Sequence, residues 1–141
     1  MRREYIFTAA RWLFALLYLS TGVAIALITL FGIGGPPPQP NADAQAFTDA
    51  LTRSHFIDPL LALCYLVGGG ALLFRLTAPF GLVVLAPVIV VIFFFHVVLS
   101  GQWPWGSLNL AWLLFLAWHF RAAFQTIWSH DTPAGRVLPA A

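Results

Sequence analysis

Residues 78–100 read APFGLVVLAPVIVVIFFFHVVLS, and this stretch indicates the architecture of the chain. A helix that crosses a bilayer needs about 20 apolar residues, and this stretch supplies them with Pro87 and His96 embedded among them. A histidine in hydrocarbon needs a polar partner, so His96 predicts that other segments pack around it. Because the sequence contains three further apolar segments, we expect an all-α membrane protein with a four-helix transmembrane bundle.

The composition is typical of a membrane protein. The 141 residues are 60% hydrophobic and 9% charged, whereas a soluble domain is about 45–50% apolar and about 25% charged. All seven basic residues are arginine and the net charge is +2. The absence of a basic run or an RNA-binding motif from the sequence argues against a nucleic-acid partner. The single cysteine, Cys64, excludes an intramolecular disulfide and is interpreted as a packing residue.

The chain is predicted to form one transmembrane domain over residues 1–128 and a cytoplasmic tail over residues 129–141. Its four spans are expected at about residues 8–33, 58–75, 79–99 and 107–127. Residues 34–57 form an outer loop, because three successive prolines cannot continue a helix. A short helix within residues 47–57 is expected to lie on the membrane face or to cap it.

One face of span one is smaller and more polar than the rest, and it is predicted to turn inward. Its members are Arg11, Ala15, Tyr18, Gly22, Ile25 and Thr29. The face serves helix packing or, alternatively, forms a ligand surface.

The arginines predict the orientation. One side of the membrane carries Arg2, Arg3, Arg11, Arg75, Arg121 and Arg136. Only Arg53 falls on the other side, within the outer loop. By the positive-inside rule both termini are cytoplasmic, and the protein is expected in the cell (inner or plasma) membrane as a multi-pass protein with the lipid bilayer as its partner.

An outer pocket is predicted at the level of His96. We expect Asp58, Tyr65 and Asn109 to line it together with His96 and to receive a small molecule or a quinone head group. The alternative is a structural histidine that is satisfied by a hydrogen bond. Carboxylate and imidazole groups could also hold a metal ion. No spacing defines such a ligand set, however, and no metal site is predicted.

The depths of two histidines argue against a haem. At 1.5 Å per residue, His96 lies roughly 5 Å and His119 roughly 18 Å from the outer ends of their spans. A mismatch of about 13 Å is too large for two axial ligands of one haem. The cofactor therefore stays unknown, with a quinone as the open candidate.

A second cluster is predicted at the inner face. It comprises Arg11, Arg75, His119 and Arg121. Arginines near helix ends snorkel to water, and the alternative is that this cluster contacts an anionic lipid head group or another anion. The sequence contains no P-loop, GxSxG or HExxH motif and no nucleophile beside a base, so no catalytic residue is assigned. Whether the protein is an enzyme stays open, and the absence of these motifs argues against it.

Residues 66–96, LVGGGALLFRLTAPFGLVVLAPVIVVIFFFH, resemble the DoxX-like family of small bacterial four-helix membrane proteins. The shared features are Gly68–Gly70 in the second helix, the basic turn at Arg75, the sequence Leu85-Ala86-Pro87 in the third helix, and His96 before a short outer loop. Arg11 is similar to the arginine that often opens the first helix of that family. In a membrane, the glycines allow a neighbouring backbone to approach closely.

The resemblance implies an accessory protein or subunit of quinone-linked membrane redox chemistry, with a redox partner or a second copy of the chain as possible partners. Many relatives carry a glutamate before the glycines of span two and a lysine after the glycine of span one. Here those regions read Cys64-Tyr65-Leu66 and Gly22-Val23-Ala24-Ile25, so the buried ion pair is absent. The alternatives are a small permease, a lipid-binding or small-molecule-binding membrane protein, and an enzyme that acts on a quinone.

Overall fold

The computed structural model describes the backbone of residues 2–128 and the side chains of residues 4–125. The described part of the chain is helical and contains no strand. Its helices are α1 (Arg2–Phe31), α2 (Ala42–Arg53), α3 (Ile57–Leu73), α4 (Ala78–Phe94), α5 (Trp103–His119) and α6 (Arg121–Trp128). A π-helical turn, Phe95–Leu99, extends α4. The predicted tail at 129–141 and Arg136 lie outside the described residues.

Four of the helices pack side by side around one core. Helix α1 contacts α3, α3 contacts α4, α4 contacts α5, and α5 returns to α1. The largest fully buried side chains come from all four helices and interdigitate in the centre; they are Phe14, Leu72, Leu82, Leu85, Ile89 and Leu116. The chain is therefore held together by one apolar core that all four helices share.

Two helices are long and apolar enough to cross a membrane. One segment is Glu4–Phe31 and the other is Ala78–Leu99, which joins α4 to the π-helical turn. Helices α2 and α3 together also pass this test, but they meet at an angle of 91°. The described chain thus holds two spans by length and composition, or three if the bent pair counts as one, as expected for a membrane protein.

The inward face of α1 is confirmed. Arg11, Ala15, Tyr18 and Gly22 are buried, and Ile25 and Thr29 are partly buried. They contact α3 closely, because a Cβ atom placed on Gly69 would lie 3.2 Å from the carbonyl oxygen of Ala15. The glycine-rich segment therefore brings the two backbones together, as the sequence indicates.

The two ends of the helix assembly differ in character. At the arginine end, which we define by Arg11, Arg75 and Arg121, Glu4 lies 3.7 Å from Arg75 and Phe7 stacks on His119 at 3.9 Å. At the opposite, loop end, α2 covers the helices. Asn41 Nδ2 donates to the carbonyl oxygen of Leu99 at 2.7 Å there.

The outer loop folds differently from the prediction. Its helix begins at Ala42, five residues before the expected start, because the side chain of Asn41 accepts a hydrogen bond from the amide of Ala44 at 2.9 Å. Such a cap satisfies one of the free amides of a first helical turn. The helix ends at Arg53, and His55 then takes a left-handed backbone conformation with a φ of 61°.

The fourth predicted span, 107–127, is split in the structure. Helix α5 starts four residues earlier, at Trp103, and ends at His119. The chain turns at Phe120, and α6 follows with the guanidinium group of Arg121 lying 4.7 Å from the centre of the Trp118 ring. Arg121, the first residue of α6, is exposed.

Candidate functional site

A cavity of about 410 Å³ lies beneath α2 at the loop end. Three of the four predicted outer-pocket residues, Tyr65, His96 and Asn109, line this cavity. Its remaining walls are mostly apolar side chains from α1, α2, α3, α4 and α5. We call it the tyrosine–histidine pocket. An apolar cavity with a few convergent polar groups is the usual form of a small-molecule site.

Asp58, the fourth predicted residue, lines an adjoining cavity of about 430 Å³ together with His55. The two cavities share Pro37, Thr48, Leu51 and Leu61 as lining residues. Asp58 is the second residue of α3 and lines only the adjoining cavity, so the structure does not bring it into the pocket of His96. Among the described residues, no three His, Cys, Asp or Glu side chains lie within reach of one metal ion.

Tyr18 is a pocket residue that the sequence analysis did not assign to the site. Its hydroxyl donates to Asn109 Oδ1 at 3.0 Å, and Asn109 Nδ2 donates to the carbonyl oxygen of Trp105 at 2.9 Å. Both Tyr18 and Asn109 are buried. The inward polar face of α1 was the available signal, but it does not reveal the partner on α5.

Tyr65 adds a free hydroxyl to the pocket. The residue is 5% exposed, and its ring lies 5.3 Å from the ring of Tyr18. Its hydroxyl makes no hydrogen bond to the described part of the chain, and it belongs to the pocket lining. A hydroxyl that faces a cavity and has no protein partner can bond to a ligand or a water molecule.

His96 sits in the π-helical turn, with Nδ1 2.8 Å from the carbonyl oxygen of Ile92. The turn packs against α5 at Gly106, where an added Cβ atom would lie 2.8 Å from the His96 Cβ. Single π-helical turns occur frequently at functional sites. The bond to Ile92 agrees with a structural histidine, yet it uses one ring nitrogen and leaves the other available to the pocket.

Helix α2 forms the roof of the pocket. Phe47, Thr48 and Leu51 point from its buried side into the cavity, and the Phe47 ring lies 5.6 Å from the ring of Phe95. The hydrogen bond between Asn41 and Leu99 ties the start of the roof to the end of the π-helical turn. The roof is therefore directly connected to the π-helical turn that carries His96.

The residues of the predicted inner cluster have different environments. Arg75 and His119 line a surface groove of about 560 Å³ at the arginine end. Arg11 is only 8% exposed, and its Nη1 donates to the carbonyl oxygen of Leu72, which lies in the last turn of α3 and has no partner within that helix. Arg11 thus caps α3, and of the four residues only Arg75 and His119 share a groove in the described part of the chain.

No family model matches this chain, and comparisons with curated proteins and with solved structures give no significant match. The resemblance of residues 66–96 to the DoxX-like proteins therefore stays a prediction from the sequence.

Proposed function

We propose that this chain forms a four-helix transmembrane bundle in the cell membrane, with spans α1, α3, α4 and α5. Large apolar side chains on the outer surface of each helix support the proposal. Examples with more than half of their surface exposed are Leu16, Leu63, Val83 and Leu114. In water such a surface would be an aggregation liability, whereas in a bilayer it faces lipid. At 17 residues each, α3 and α5 are about 26 Å long and nearly match a hydrocarbon core of about 30 Å.

The arginine end is assigned to the cytoplasm, with both ends of the chain on that side. Arg11, Arg75 and Arg121 lie at this end, whereas Arg53 belongs to α2 at the loop end. The positive-inside rule places the side rich in arginine in the cytoplasm. The tyrosine–histidine pocket then opens in the outer half of the bilayer.

The tyrosine–histidine pocket is proposed to bind a small amphipathic molecule, with a quinone head group as the candidate class. The protein would then act as an accessory or subunit of quinone-linked membrane redox chemistry, as the resemblance to the DoxX-like family implies. One observation carries the proposal: Tyr18, Tyr65, His96 and Asn109 converge on a single apolar cavity. Polar groups are costly at this depth and are concentrated at functional sites in membrane proteins.

Binding is favoured over transport by the depth of the cavities. The tyrosine–histidine pocket and the adjoining cavity, which we call the two outer cavities, extend along α1 toward the arginine end only as far as Leu17. The groove at the arginine end shares no lining residue with either of them. Between them, the side chains of Phe14, Leu85 and Leu116 are fully buried. Interiors of this kind are close-packed, which agrees with a closed site better than with a permease.

The groove at the arginine end is proposed as a contact for an anionic lipid head group. Arg75 and His119 line it, and Arg75 also pairs with Glu4 in an exposed position. Basic side chains at the cytoplasmic surface attract anionic lipids. This contact would anchor the protein and is separate from the tyrosine–histidine pocket.

The test of quinone binding is co-purification from the membrane in polymer-bounded lipid discs. Thr48→Trp fills the shared wall of the two outer cavities, and Ala50→Trp places the same side chain on the exposed side of α2. Mass spectrometry of the extracted lipids should show quinone enriched over bulk membrane in the wild type and in Ala50→Trp but not in Thr48→Trp. A wild type without enrichment would contradict the proposal.

Two further measurements distinguish the candidate roles. A redox-linked absorbance change of the co-purified quinone supports the redox role. Solute flux into proteoliposomes that Thr48→Trp abolishes, without quinone enrichment, would instead support a permease.

A further inference from the structure

The hydrogen bond of His96 determines which ring nitrogen carries the proton. Its Nδ1 lies 2.8 Å from the carbonyl oxygen of Ile92. A carbonyl oxygen only accepts hydrogen bonds, so Nδ1 is the donor and the neutral ring keeps a lone pair on Nε2. Because His96 lines the tyrosine–histidine pocket, its Nε2 is the acceptor that remains for a ligand.

Some of the other polar groups in the pocket already form hydrogen bonds within the protein, and others do not. Tyr18 donates to Asn109, and Asn109 donates to the carbonyl oxygen of Trp105. These bonds fix two of the side chains against each other. The hydroxyl of Tyr65 makes no hydrogen bond to the described residues and is free to donate. The pocket thus presents one ring-nitrogen acceptor, His96 Nε2, and two donors without a partner among the described residues, the Tyr65 hydroxyl and the indole N–H of Trp105.

We infer that the tyrosine–histidine pocket selects a ligand hydroxyl group, which donates to His96 Nε2 and accepts from Tyr65. Among the two forms of a quinone, the pocket therefore prefers the hydroquinone, because the oxidised ring carries carbonyl acceptors and no donor. When a quinone occupies the pocket, Nε2 of His96 is shielded from solvent but receives no hydrogen-bond donor from the ligand. Leaving such an acceptor unsatisfied is unfavourable. This inference rests on the proposed binding function and specifies its ligand.

The apolar part of the ligand has a path to the bilayer. Val91 and Trp105 line the pocket, yet they are 55% and 46% exposed on the outer surface of the helices. The pocket therefore reaches the surface that faces lipid. A hydroxyl-bearing ring with an alkyl chain can place its ring beside His96 while its chain remains in the hydrocarbon.

The experiment compares two probes that share one carbon skeleton, a decyl-substituted para-benzoquinone and its hydroquinone. Their affinities for the full chain in lipid nanodiscs are measured by calorimetry under argon, with empty nanodiscs as the blank. The wild type should bind the hydroquinone about 10- to 100-fold more tightly. A tenfold preference raises the midpoint potential of the bound two-electron couple by about 30 mV, which a redox titration detects independently.

A matched pair of variants, each to phenylalanine, tests the assignment to His96. His96→Phe removes the acceptor but keeps an aromatic ring, and it should bring the affinity ratio close to 1, chiefly through weaker hydroquinone binding. Tyr5→Phe likewise keeps an aromatic ring and removes a polar group, at a position on α1 that is 73% exposed and lines none of the cavities, and it should leave the ratio unchanged. A ratio that stays high in His96→Phe would overturn the inference.

A spectroscopic measurement on the wild type reports on the His96 ring directly. The sequence has four histidines, and ¹⁵N-histidine labelling of the wild type gives a signal for Nε2 of His96, assigned by its loss in His96→Phe. Hydroquinone should shift this signal and quinone should not. Equal or tighter binding of quinone, or no shift, would overturn the inference and leave the proposed function standing. If neither probe binds, both fail.

Discussion

Replacing Gly81 with alanine should force helices α3 and α4 apart. A Cβ atom at this position would lie 2.6 Å from the carbonyl oxygen of Gly68 and 3.1 Å from the Leu72 Cγ. The nearest atom belongs to the backbone of a packed helix, so no side-chain rotation relieves the clash. Over-packing of this kind costs about 1–3 kcal/mol.

Gly70→Ala is the matched control for this change. It adds the same methyl group in the neighbouring helix, and a Cβ atom there would have no heavy atom within 4 Å. Both variants gain a similar helix preference, of about 1 kcal/mol or less. The difference between them therefore isolates the clash, and Gly81→Ala should unfold more easily than Gly70→Ala by about 1–3 kcal/mol.

The measurement is reversible unfolding of the purified chain in mixed micelles of dodecyl maltoside and sodium dodecyl sulfate, followed by far-UV circular dichroism and tryptophan fluorescence. The free energies of unfolding of the wild type and of the two alanine variants are compared. If Gly81→Ala is as stable as Gly70→Ala, then α3 and α4 do not approach each other at Gly68 and Gly81, and the packing described above is wrong.

Three further changes test single contacts by the same unfolding assay or by lipid analysis. Tyr18→Phe should cost about 1–3 kcal/mol, because it leaves the buried Oδ1 of Asn109 without a donor; no loss would show that this bond does not form. Arg11→Met should cost a similar amount, since the Leu72 carbonyl loses its donor, and an unchanged stability would refute the capping role. Arg75→Gln should alter stability by less than about 1 kcal/mol, as expected for an exposed ion pair. The same variant should nevertheless retain less phosphatidylglycerol in mass spectra of the purified protein, and equal retention would refute the lipid contact.

Much of the helical architecture could be predicted from the sequence, because hydrocarbon thickness sets the length of a span and the apolar runs show it directly. The third predicted span, 79–99, corresponds to α4 with its π-helical turn. The second, 58–75, corresponds to α3 within two residues at each end. The inward face around Tyr18 followed from helical periodicity and from the preference of polar groups for the interior.

The relative positions of residues from different segments could not be predicted in the same way. Asp58 and His96 were expected to share a pocket because they lie at a similar depth in the membrane. The depth of a residue, however, does not determine toward which neighbouring helix its side chain points. Asp58, near the start of α3, lines the adjoining cavity instead. The early start of α2 depends on the side chain of Asn41, which also bonds to Leu99, 58 positions further along the chain.

The central claim, a membrane bundle with its roofed pocket on the outer side, is tested most directly by labelling single cysteines in intact cells. In a Cys64→Ala background, Ala50→Cys lies on the exposed side of α2 and Leu76→Cys lies in the turn between α3 and α4, where Leu76 is 92% exposed. A membrane-impermeant maleimide should label Ala50→Cys in intact cells and Leu76→Cys only after permeabilisation. Labelling of Leu76→Cys in intact cells, with Ala50→Cys protected until permeabilisation, would contradict the account.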